Sequence, residues 1–111
     1  LLPFSRLNSD LAVELYGQNS DELVAFEYER TSKSKKRNNQ KLEDYYLNTS
    51  IKAVFYICEN RSVRVSLIES DKAVSDRFGY SKIYFCLTEE FKNQNKQVAF
   101  TRFDGEKINI L

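Results

Sequence analysis

Three features of this 111-residue sequence predict an α/β (α+β) fold in which a mixed β-sheet is flanked by helices. Apolar strand-like runs are separated by a segment of helical period, which is the signature of a βαβ unit. Turn chemistry sits near both ends, as GQNSD and as DG, and marks a hairpin at each. The composition is that of a globular protein, with 41% apolar and 14% aromatic residues but only 3 Gly and 1 Pro. That balance excludes disorder and repeat arrays, and the length allows one domain on a single core without disulfide or metal staples.

The elements follow in order. Residues 11 to 16, LAVELY, and 22 to 29, ELVAFEYE, are rich in β-favouring residues and read as a hairpin. In the second strand Leu23, Ala25, Glu27 and Glu29 share one face and Val24, Phe26 and Tyr28 the other, because side chains alternate. Next, Leu42, Tyr45, Tyr46 and Thr49 recur at helical spacing and predict a helix over roughly 37 to 48, with Lys41, Glu43 and Asp44 facing water. IKAVFYIC, 51 to 58, is nearly continuous in apolar residues, as a central strand parallel to the 22–29 strand requires after a helical crossover. Between Ser62 and Arg77 a helical stripe of Val63, Leu67, Ser70, Val74 and Phe78 competes with strand alternation in VRVSL, and the helix, ended by Gly79, is favoured. KIYFCL, 82 to 87, is a further strand, and VAFTRFDGEKINIL closes as a hairpin turning at Asp104-Gly105.

No apolar run reaches the length of a bilayer span and no signal-like segment opens the chain, so a soluble cytoplasmic domain is expected. Cys58 and Cys86 lie inside apolar strands rather than in a CxxC or Cys/His cluster, which predicts buried, reduced thiols. The sequence has no Met, an expected sign of a fragment trimmed from a longer chain, and no His, which excludes His-based triads and His metal ligands. Carboxylates must then carry any metal chemistry.

The formal charge of +1 offers no global attraction for nucleic acid, so only a local patch could supply it. RTSKSKKR is such a patch, with Arg30, Lys33, Lys35, Lys36 and Arg37 within eight residues. It runs into the first turn of the predicted helix, where the macrodipole favours anions, and there it would hold a phosphate together with the free backbone donors. A solvated loop accounts for the run equally well. Gln40 and Lys41 project from the same turn, either as plain surface or toward a site at the sheet edge.

The candidate metal ligands are Asp10, Glu27 and Glu29. In the hairpin Asp10 lies across from residues 27 to 29, and the parity of the connecting loop decides whether it shares their face. Converging carboxylates repel by roughly 1 kcal/mol per close pair in water and about four times that at a protein surface. A cation should therefore sit among them, and Mg²⁺ or Mn²⁺ would both fit oxygen donors and activate water against a phosphate. The simpler alternative makes Glu27 and Glu29 solvent-facing residues paired with nearby cations.

LNSDLAVEL, LVAFEYERTSKSKKR, the helix NQKLEDYYL and the strand VFYIC together resemble the nuclease-like domain of plasmid mobilisation and replication-relaxation proteins, of the PD-(D/E)XK superfamily. The resemblance covers about residues 8 to 58 and is most specific at FEYERTxKSxxR. It implies a restriction-endonuclease-like core. It also implies an Mg²⁺-dependent endonuclease or relaxase-like nickase in which Asp10 and Glu27 match the metal-binding acids. Position 29, where the superfamily places a catalytic Lys, is Glu here, and Lys33 or Lys35 is left to supply the cation. The resembling proteins carry a winged-helix element before this domain.

Three functions are thus expected in turn. The first is metal-dependent cleavage of DNA by Asp10, Glu27, Glu29, Lys33 and Lys35. The second is a DNA-binding module using Arg30, Lys33, Lys35, Lys36, Arg37, Gln40 and Lys41. The third is a protein-interaction domain anchored by Tyr80 and Tyr84, which core packing explains as well.

Overall fold

The computed structural model describes residues 11–14, 23–92 and 98–110. They form one six-stranded mixed sheet whose strands lie in chain order, with three helices. Strand β1 (Leu11–Glu14) pairs antiparallel with β2 (Leu23–Glu29), Leu11 opposite Phe26. Helix α1 (Lys35–Leu47) returns the chain to β3 (Ile51–Cys58), which lies parallel to β2 with Glu27 opposite Tyr56 and Glu29 opposite Cys58. Helix α2 (Arg61–Phe78) leads to β4 (Ile83–Leu87), parallel to β3. The short helix α3 (Thr88–Lys92) was not anticipated from sequence; β5 (Val98–Thr101) and β6 (Lys107–Ile110) close the sheet as an antiparallel hairpin. Gly105 supplies the left-handed conformation of that turn, at φ 93°.

Both long helices are capped by the residue types that favour it. The hydroxyl of Ser34 accepts from the Arg37 amide at 3.2 Å, and the side-chain oxygen of Asn60 accepts from the Val63 amide at 3.0 Å. Gly79 ends α2 in the left-handed region at φ 83°, where its N–H bonds the Ser75 carbonyl at 2.8 Å. The 62–77 ambiguity is thereby resolved as helix: Val63, Leu67, Ser70 and Val74 are buried along one stripe.

Alternation along β2 sorts its residues between two apolar clusters. Leu23 and Ala25 face the helices and pack with Leu42, Tyr45, Val54, Leu67 and Val74. Val24 and Phe26 face the opposite side, against Phe55, Cys86 and Phe100. Besides Glu27, whose partners belong to the cleft, two charged groups are buried beside the helix-facing cluster. Asp71 accepts from the Tyr46 hydroxyl at 2.8 Å, while Lys82 donates to the carbonyls of Ile51 and Asn48 at 2.8 and 3.1 Å. Burial raises Asp71 to about 6 and lowers Lys82 to about 8.

One detail differs from the sequence reading. Helix α1 stops at Leu47, so Thr49 lies exposed beyond it and the buried stripe ends at Tyr46. Lys41, about one-third exposed, turns its ammonium onto the sheet toward Glu27, the second of the two readings the sequence allowed for it. Both thiols are buried and free, as expected; Cys58 belongs to the helix-facing cluster and Cys86 to the opposite one, and burial pushes them up to about 12 and about 11. Among the described residues no helix is long and apolar enough to cross a membrane.

Candidate functional site

A cleft of about 870 Å³ lies over the carboxyl ends of β2 and β3, beside the first half of α1. The cations Arg30, Lys33, Arg37 and Lys41 line it, with the acids Glu29 and Glu59, the aromatics Tyr28 and Tyr56, and Thr31 and Asn38.

Glu27 and Glu29 share the helix-facing side of β2, but their surroundings differ. Glu27 is 2% exposed, and it accepts from Lys41 Nζ at 3.0 Å and from the Tyr45 hydroxyl. It is therefore neither a solvent-facing residue nor an unsatisfied one. Glu29 sits higher, partly buried, and accepts from Lys33 Nζ at 3.2 Å; Lys33 also donates to the Thr31 hydroxyl at 2.9 Å. The cation that electrostatics demands beside each carboxylate is in both cases a lysine ammonium.

On the other side of the strand ends the hydroxyl of exposed Tyr28 donates to the carboxylate of Glu59, which raises the tyrosine pKa. The backbone draws these ends together, since the Glu59 amide bonds the Glu29 carbonyl at 3.0 Å. Asn38 is buried at the side of the cleft and donates to Ser66 of α2 at 3.2 Å. Tyr56, opposite Glu27 in the parallel register, is buried, and burial raises its pKa strongly.

Of the DNA-binding candidates, the structure brings Arg30, Lys33, Arg37 and Lys41 to one cleft. Lys35, Lys36 and Gln40 are exposed on α1 and do not line it. Arg30 and Arg37 have no ion-pair partner among the described residues. Of the metal candidates, Glu27 and Glu29 are neighbours, and Asp10 lies outside the described residues. Among the described residues no group of three or more His, Cys, Asp or Glu stands close enough to hold a metal ion. Two carboxylates that each receive a lysine do not by themselves fit a divalent ion.

No family model, curated protein or solved structure matches this chain. The site must therefore be judged on its own chemistry. The interaction-domain candidates have intramolecular explanations: Tyr84 stacks on Phe55 at 5.6 Å and lies under the Arg102 guanidinium, and Tyr80 meets Tyr46 edge-on at 5.4 Å. Sequence reasoning missed Tyr28, Asn38, Tyr45, Tyr56 and Glu59. For Tyr28, Asn38, Tyr56 and Glu59 the only signal was position, each within a few residues of a strand end or helix start, whereas Tyr45, near the end of α1, was read only as part of the helical stripe.

Proposed function

We propose that the cleft over β2 and β3 binds the phosphate backbone of DNA, so that the domain is a DNA-binding module. The observation that carries this reading is the pair of guanidinium groups, Arg30 and Arg37, that open onto the cleft without an ion-pair partner among the described residues. Lys33 and Lys41 stand beside them, each already balanced by a carboxylate, so an incoming phosphate meets donors held in place by Glu29 and Glu27. Guanidinium groups bind phosphate oxygens bidentately and lose little hydration in doing so. Backbone contacts of this type position a strand without reading its sequence.

The test is the salt dependence of binding. Replacing Arg30 and Arg37 together by Ala is expected to flatten the slope of log K against log salt by about 1.4 on a single strand or about 1.8 on a duplex. Replacing Lys35 and Lys36, outside the cleft, changes it less. A slope that does not respond to the arginine pair would leave the basic run as a solvated loop.

A second reading, metal-dependent cleavage or nicking of the bound strand, is favoured by one observation: Glu27 and Glu29 come from alternate positions on one face of β2 and reach the same end of the sheet. It requires a third oxygen donor for Mg²⁺ or Mn²⁺. Asp10, adjacent in sequence to the residue paired with Phe26, is the residue the chain offers. This is also the reading that the resemblance to mobilisation-type nuclease domains supports. Lys33 and Lys41 would then supply the cation that Glu29 cannot.

A further inference from the structure

Tyr28 is the one cleft-lining aromatic among the described residues that is exposed, at 37%, whereas Tyr56 is buried beneath the cleft. The other exposed large apolar residues described, Leu47, Val65, Tyr80 and Phe91, do not line it. An exposed ring at a strand end is usually free to turn, but the Tyr28 hydroxyl is tied to Glu59 across the parallel pair, which holds the ring while leaving it open to solvent. Strand alternation sends Tyr28 to the face opposite Glu27 and Glu29. The cleft therefore folds over the strand ends, with the ring and Glu59 on one side and the cations of α1 on the other. Its volume of about 870 Å³ far exceeds the needs of one phosphate and falls within the range of sites for whole small molecules.

Resting on the DNA-binding reading above, we propose that the cleft is a site for single-stranded DNA, in which an unpaired base stacks on Tyr28 while the backbone beside it is held by Arg30, Arg37 and Lys41. A positively charged groove combined with an aromatic platform is the arrangement that selects single strands, because every unpaired base offers a π-face. In a duplex the bases are stacked on one another and present no such face to a side chain at the rim. The Glu59 carboxylate beside Tyr28 repels phosphate on the aromatic side, so the backbone lies toward α1 and the base toward the ring.

The experiment measures binding of a short fluorescent single-stranded DNA and of the same sequence as a duplex, by anisotropy at one fixed salt concentration. The parent is expected to prefer the single strand. Tyr28→Ala should weaken single-strand binding roughly tenfold or more, as loss of one stacked base does, and leave duplex binding unchanged. Tyr28→Phe keeps the ring, loses the bond to Glu59, and should bind within about threefold of the parent, with thermal unfolding run on each variant to confirm the fold. Equal single-strand binding by Tyr28→Ala and the parent, or a parent that prefers duplex, overturns the single-strand site. Single-strand binding that Arg30→Ala with Arg37→Ala leaves intact overturns the backbone reading instead, and a parent that binds neither probe overturns both.

Discussion

Lys41 of α1 places its ammonium 3.0 Å from Oε1 of Glu27 on β2, a carboxylate that is 2% exposed. The lysine is about one-third exposed, so the pair sits at the boundary between core and cleft. Removing one member of a fully buried pair costs about 3–5 kcal/mol because a charge is stranded. Here solvent reaches the lysine, and Lys41→Met is expected to cost about 1–3 kcal/mol. Glu27→Gln keeps an acceptor for Tyr45 but loses the charge, so it destabilises by less. The double replacement Lys41→Met with Glu27→Gln should recover part of the lysine loss, and urea unfolding of the four proteins as a double-mutant cycle measures the coupling.

Asp71 sets a pH dependence of known sign. Its side chain is fully buried, Oδ1 accepts from Tyr46, and Oδ2 has no hydrogen-bond partner among the described residues. Burial raises its pKa from 3.8 to about 6. The folded state thus holds this proton more tightly than the unfolded chain does. The stability gained from protonation is fully present below about pH 4 and lost as pH rises through 6. Asp71→Asn keeps an acceptor for Tyr46 without the charge. It should flatten the stability profile between pH 4 and 6 and raise stability at pH 7.5 by about 1–3 kcal/mol, read from urea midpoints at each pH.

The end of α2 tests backbone strain separately from packing. Gly79 stands at φ 83°, and a Cβ added there meets nothing within 4 Å. Gly79→Ala should therefore cost only the left-handed penalty, about 1–2 kcal/mol. Gly79→Asn should cost less, since Asn tolerates that region. Equal losses for the two variants in thermal unfolding would show that something other than backbone conformation decides this cap.

Most of the sheet was legible because its signals are local. The nearly continuous run IKAVFYIC reads as a central strand, and Gly79 favoured the helical stripe of Val63, Leu67 and Val74 over the competing alternation in VRVSL. The site was less so, because burial at a strand end depends on what packs over it. Alternation correctly placed Glu27 and Glu29 on one face, yet whether that face was water or helix rested on the path of α1. The partners of Glu27 lie 14 and 18 residues away in sequence. Both readings of Lys41, facing water or reaching the sheet edge, stayed open for the same reason, since the helical stripe of Leu42, Tyr45 and Tyr46 leaves it at the margin of the buried face.

Glu29 separates the two functional readings. It lines the cleft and accepts from Lys33, so Glu29→Lys removes an acid, releases one cation and adds another. On the DNA-binding reading this variant should bind single-stranded DNA more tightly and steepen its salt slope by about 0.7 for each additional phosphate that it neutralises. Mg²⁺ should then act on both proteins as ordinary salt: it weakens DNA binding, leaves the melting temperature of the free domain flat, and supports no nicking. Cleavage chemistry predicts the opposite pattern. A divalent ion bound by Asp10, Glu27 and Glu29 would raise stability by about 2.7 kcal/mol at a hundred times its dissociation constant, and Asp10→Asn or Glu29→Gln would abolish that rise. Melting curves over a titration of Mg²⁺ and Mn²⁺, with plasmid nicking assayed on the parent, Asp10→Asn, Glu29→Gln and Glu29→Lys, decide the matter. A metal-dependent rise in melting temperature that both acid variants lose, accompanied by nicking in the parent, would replace the binding module with a nuclease. Flat melting curves and intact plasmid would leave Glu27 and Glu29 as the residues that hold Lys41 and Lys33 in place over the cleft.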